Sequence, residues 1–154
     1  MKFRYLTNEE LELLEEDFVQ FLIVNGVEGK KWEKINSENH ANALELVGLF
    51  SDLVLQKSLE KVDFGEFSNK SQFFIFAFKS EEIELVAVQS SDPQLDISIF
   101  ENLIESIQNY PTALSIFKQK KIYSRSREEE IFALMNNGLL LSNQKQFDLL
   151  NQFV

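Results

Sequence analysis

The segment Gln72-Phe73-Phe74-Ile75-Phe76-Ala77-Phe78 limits the possible folds of this chain more than any other. Read as a strand, it turns Phe74, Phe76 and Phe78 to one face and Phe73, Ile75 and Ala77 to the other. Both faces therefore need apolar cover, which a sheet solvated on one side cannot supply. Lys61–Phe67 and Ile83–Gln89 share the period of two, with turn residues at Ser68-Asn69-Lys70 and Ser80-Glu81-Glu82. The three segments predict an antiparallel meander. One face is expected to meet helices, and the other to meet later helices or a second subunit. The chain's 15 Phe residues make a two-fold homodimer an expected means of covering what remains.

Helical periodicity surrounds the meander. Thr7-x-x-Glu10 has the form of a capping box, with Leu6 and Leu11 placed as a hydrophobic staple. Leu11, Leu14, Phe18, Phe21 and Leu22 then recur at helical spacing up to Asn25-Gly26, where Gly26 can take the left-handed conformation that ends a helix. A short helix is expected around Trp32, followed by one from about Asn39 to Val62 whose many apolar positions predict burial on most sides. After the meander, Ser98-x-x-Glu101 predicts a capped helix to about Asn109, and Pro111–Lys118 a further short helical turn. Ser126-x-x-Glu129 opens a helix ending at Asn137-Gly138, and Ser142 is the expected cap of a last one. The fold class is α+β: N-terminal helices, a small three-stranded antiparallel meander, then C-terminal helices. Without a linker or an internal repeat, residues 1–154 read as a single globular domain.

The side-chain inventory removes several kinds of chemistry. The chain has no Cys and one His, which excludes thiol nucleophiles, thiolate zinc sites and iron-sulfur clusters built from this chain. His40 could act as a general base, but its polar neighbours Asn36, Ser37 and Asn39 favour an exposed position beside a helix cap. Ser51 and Asp52 are adjacent, and adjacent residues of a helix do not face one another, so a structural role is expected for both. Ser90-Ser91-Asp92-Pro93-x-x-Asp96 lacks the acidic ladder of a calcium loop and reads as turn chemistry. Gly29-Lys30 lacks the spacing of a phosphate-binding loop. No metal and no cofactor are expected. No apolar run reaches the ~18 residues of a membrane span, and the N-terminal residues do not form a signal peptide, so the expected location is cytoplasmic.

The segments Met1-Lys2-x-Arg4-x-Leu6-Thr7, Trp32-Glu33-Lys34-Ile35 and Phe50-Ser51-Asp52-Leu53-Val54 occur in an order that resembles a family of small bacterial proteins classed as a domain of unknown function. The resemblance covers roughly residues 1–90. It implies a cytoplasmic bacterial protein and assigns no catalytic residue.

Charge isolates one segment. Lys and Arg number 15 against 25 Asp and Glu, a net charge of -10, which opposes binding to duplex DNA or anionic membranes. Yet Lys118, Lys120, Lys121, Arg125 and Arg127 lie together with no acid between them and with Tyr123 alongside. Two readings of this patch stay open. It docks an anionic partner, either an acidic protein surface or a short single-stranded nucleic acid stacked on Tyr123, or it is a solvated face paired with Glu128, Glu129, Glu130 and other acids. The function expected from these residues is a non-enzymatic interaction module, an adaptor or regulatory subunit with a protein partner. The alternatives are a small enzyme with a carboxylate or Ser/Lys/Tyr site and a nucleic-acid-associated factor.

Overall fold

Thr7 opens the first helix, α1 (Asn8–Leu13), through a complete capping box: its hydroxyl accepts the Glu10 N–H at 3.2 Å, and Glu10 accepts the Thr7 N–H at 2.8 Å. The computed structural model covers residues 1–154 and divides into two compact units, Met1–Ser58 and Leu59–Val154. In the first unit α1 is followed by α2 (Glu15–Val24), α3 (Gly29–Glu38) and α4 (His40–Glu60). The single helix expected from Thr7 to Asn25 is broken at Leu14, where φ is -109°. Neither Pro nor Gly marks that position, so no local signal announces the break. α2 ends as its sequence predicts: Gly26 has φ +75° and Val27 N–H returns to the Leu22 carbonyl at 2.8 Å.

Packing in this unit gathers aromatic rings around Phe50. Phe18 lies 5.0 Å and Phe21 5.4 Å from it between ring centroids, and Trp32 meets Phe18 edge-on at 5.3 Å. The N-terminal segment is bound to α4 by the two residues after Phe50. The Lys2 and Phe3 N–H groups donate to Asp52 at 2.6 and 2.9 Å. Leu6 N–H donates to the fully buried Ser51 Oγ at 3.0 Å, while that hydroxyl donates to the Val47 carbonyl at 2.7 Å. α4 is less buried than its composition predicts, because Leu44, Leu49 and Leu53 remain exposed. Its apolar residues outnumber the positions that the other helices of the unit cover.

The second unit holds a five-stranded antiparallel sheet in the order β4-β3-β2-β1-β5. The strands are β1 (Phe64–Asn69), β2 (Gln72–Phe78), β3 (Glu82–Ser90), β4 (Leu114–Ile122) and β5 (Leu140–Leu141), and the helices are α5 (Phe100–Asn109), α6 (Arg127–Asn136) and α7 (Gln144–Asn151). The three-stranded meander is thus the centre of a larger sheet, and the helical turn expected from Pro111 stops at Ala113, where β4 begins. β4 escapes the sequence reading because its polar run Lys118–Lys121 suits an edge strand and carries little apolar alternation. β5 is too short to show any period.

Both faces of β2 receive cover. Phe73, Ile75 and Ala77 join Val86, Val88, Ile97, Leu103, Ile107, Phe147 and Leu150 in one buried cluster with α5 and α7. On the opposite face Phe76 stacks with Phe78 at 6.1 Å and meets Phe67 edge-on at 5.9 Å, and Glu130 and Leu134 of α6 lie across a cavity of about 160 Å³ from Phe76, Ile83 and Leu85. α6 opens with the predicted Ser126–Glu129 capping box and closes at Gly138, φ +100°, with Leu139 N–H bonded to the Leu134 carbonyl. Two other predicted caps are corrected. α5 starts after Ile99, because Ser98 is held by Asp96 Oδ1 at 2.6 Å. α7 is capped by Asn143 and not by Ser142. At Gly65 a Cβ would stand 2.6 Å from Leu139 Cδ2, so β1 accepts the buried Leu139 side chain only because residue 65 has none.

Ser51→Ala removes the acceptor of a buried N–H, and a buried donor left without a partner costs about 1–3 kcal/mol. Denaturant unfolding should show that loss. Ser58→Ala on the same helix, whose exposed hydroxyl donates only to the Val54 carbonyl, should shift stability by less than about 0.5 kcal/mol.

Candidate functional site

The basic segment Lys118–Arg127 spans β4, a four-residue loop and the start of α6. β4 is an edge strand with β3 as its only sheet neighbour, and its residues from Phe117 to Ile122 are all exposed. Antiparallel register sets Lys118 beside Val86 and Lys120 beside Glu84. Lys118 Nζ lies 3.7 Å from Glu84, and Lys120 Nζ 3.6 Å from both Glu82 and Glu84. Lys121 points to the other face, with Nζ 4.0 Å from Glu130. These separations exceed hydrogen-bond length, and Lys120 and Lys121 are largely exposed, so each pair contributes little to stability and leaves those lysines free to exchange partners.

The segment's other members are bound more firmly. The Tyr123 hydroxyl donates to the Lys79 carbonyl at 2.7 Å, and burial pushes its pKa up to about 12. Ser124 donates its N–H and hydroxyl to Glu130, whose carboxyl is held below its ordinary 4.5 mainly by that hydroxyl, with Lys121 and Arg125 adding positive potential. Arg125 is exposed. Arg127, with 14% of its side chain exposed, is a structural hub. Its Nη2 reaches the Val62 and Phe78 carbonyls and Asp63 Oδ1, Nε reaches the Phe78 carbonyl, and Nη1 reaches the Leu59 carbonyl at 3.3 Å and Glu128 at 3.5 Å. One planar guanidinium thereby ties the chain after α4 to the end of β2 and the start of α6.

The six sequence-selected residues separate accordingly. Lys118, Lys120, Lys121 and Arg125 present charge to solvent, whereas Tyr123 and Arg127 hold the fold. Of the acids that face the lysines, Glu130 is one the sequence offered as a partner, whereas Glu82, read there as a turn residue, and Glu84 were not selected.

Other positions add no site of comparable extent. His40 is exposed at the start of α4. In the Ser90–Ser98 loop Asp92 accepts the Gln94 N–H at 2.9 Å and Asp96 accepts Ser98, as turn residues do. Lys31 Nζ bonds to the Gly26 carbonyl in a loop between helices. No three His, Asp or Glu side chains are grouped to hold a metal ion. Glu66 is raised above its ordinary value, first by burial, against the opposing Ser142 hydroxyl at 3.4 Å.

A family model described as a family of unknown function, DUF6495, matches residues 1–154. The chain belongs to DUF6495. Membership extends over the whole sequence, beyond the roughly 90 residues that carry the sequence resemblance. No curated protein and no solved structure matches this DUF6495 chain. No helix is long and apolar enough to cross a membrane.

Two outcomes check the division of roles. Arg127→Lys replaces a fork of donors by a point charge and strands carbonyls that accept from it, a loss of about 1.5–3 kcal/mol, whereas Lys118→Gln should change stability by no more than about 0.5 kcal/mol. Thermal or denaturant unfolding of both variants tests this. Because the folded state lowers the Glu130 pKa, its contribution is fully present above the ordinary 4.5 and is lost as pH falls through the lower folded value. The melting-temperature gap between the native chain and Glu130→Gln should therefore be constant at neutral pH and shrink in acid.

Proposed function

We propose that this protein is a non-enzymatic interaction module, acting as an adaptor or regulatory subunit, and that its docking surface is the basic edge formed by β4 and the loop after it. The reading is carried by one observation: an unshielded nine-residue edge strand bears Lys118, Lys120 and Lys121, with Arg125 beyond it, in a chain of net charge -10. Long exposed strand edges are usually covered or shortened. The local positive potential here would steer an acidic partner to this side and repel it elsewhere.

A protein partner is favoured over single-stranded nucleic acid by Tyr123. Stacking on a base needs a free aromatic face, and this ring is half-buried with its hydroxyl bound to the turn between β2 and β3. Cytoplasmic location and a bacterial source belong to the same proposal and rest on the sequence resemblance.

The test replaces Lys118, Lys120, Lys121 and Arg125 together by Gln, which removes charge without placing new acids against Glu82 and Glu84. Proteins captured from lysate by the native chain and by the variant are compared by mass spectrometry at low and high salt. The expected result is a set of partners retained by the native chain, released by salt and absent from the variant, with both chains equally folded by circular dichroism. Capture of the same set by both chains would overturn the proposal.

A further inference from the structure

The backbone of β4 is as informative as its side chains. Ser91 N–H donates to the Ala113 carbonyl at 2.9 Å, and those residues continue the β3–β4 register, in which Ser90 faces Leu114. Hydrogen-bonded pairs alternate along an antiparallel ladder. The N–H and C=O groups of Ser115, Phe117, Gln119 and Lys121 therefore point to β3, and those of Ile116, Lys118, Lys120 and Ile122 point away from the sheet. No strand lies beyond β4 to receive them.

Resting on the docking surface proposed above, we infer that this edge binds an extended acidic peptide segment of a partner, which adds to the sheet as a sixth, antiparallel strand beside β4. Outward backbone groups supply the ladder, and side chains opposite them supply selectivity. Lys118 and Lys120 lie two residues apart on one face, so the incoming strand meets them with Asp or Glu at alternate positions. Phe117, 38% exposed on the other face, is met by an apolar residue next to the acid that faces Lys118. Charge argues against a second copy of this chain in the same place. An antiparallel two-fold pairing of β4 centred on Lys118 would set that lysine against itself, and centring it on Gln119 would set Lys118 against Lys120, with like charges directly opposed.

The probe is a nine-residue peptide in which Glu alternates with Val and Thr, matching the length of β4. It is compared with two N-methylated forms. Opposite Lys118 and Lys120 the Glu residues occupy hydrogen-bonded positions, so N-methylation at Glu removes donors to β4, while N-methylation at Val and Thr alters only the far edge. The expected result by titration calorimetry is binding that weakens about tenfold or more on Glu methylation and is nearly unchanged by the other. Amide exchange at Ile116, Lys118 and Lys120 should slow when the parent peptide binds. Equal binding of both methylated forms would overturn strand addition while leaving a basic docking surface in place. Absence of binding at concentrations on the order of 1 mM would also overturn it, and the lysate comparison above decides the parent reading separately. Slowed exchange at the same amides that depends on protein concentration without peptide would assign the edge to a second copy and overturn the acidic occupant.

Discussion

Apolar demand on both faces of β2 organises the second unit. A strand carrying Phe73 and Ile75 on one side and Phe74, Phe76 and Phe78 on the other is stable only at the centre of a sheet with helices on each side. α5 and α7 meet the first face in one continuous buried cluster, and α6 lies against the second. Placing β2 centrally pushes the more polar segments outward, so β4 with its lysines takes one edge and the two residues of β5 the other. The position of the candidate docking surface is therefore a consequence of where the phenylalanines had to go.

Local signals in the sequence predicted those parts of the fold that are governed by local chemistry. The Thr7 and Ser126 capping boxes and the glycine-terminated ends at Gly26 and Gly138 form as expected because donors and acceptors lie within a few residues of one another. Ser98 shows the limit of such reasoning. Its spacing from Glu101 fits a capping box, but Asp96, only two residues before it, competes for its hydroxyl and N–H. The break at Leu14 and the exposed leucines of α4 depend on tertiary packing, which no window of neighbouring residues contains.

The site was legible as a cluster of charge and illegible as a geometry. Five basic residues without an intervening acid stand out in any reading of this chain, yet beside the exposed Arg125 the other four meet three different environments. Lys118 and Lys120 face the β3 acids because of the strand register, Lys121 faces α6 because alternation turns it over, and Arg127 is drawn inward by three carbonyls from two separate segments. The resemblance motifs fared similarly. Met1–Thr7, Trp32 and Phe50-Ser51-Asp52 are far apart in sequence, but in the structure Asp52 and Ser51 grip the first segment and Trp32 packs in the ring cluster around Phe50. In this chain the three segments thus serve packing.

The close approach of Leu139 to Gly65 bears on how such a sequence can drift. A side chain at position 65 collides with the branch of Leu139, whereas a smaller residue at 139 opens room before anything is placed at 65. The order of changes then matters: trimming at 139 passes through a loosened intermediate, and enlargement at 65 first passes through a clash. Across the family these two positions should behave as one inherited character, with bulk permitted on β1 or in the turn after α6 but not on both.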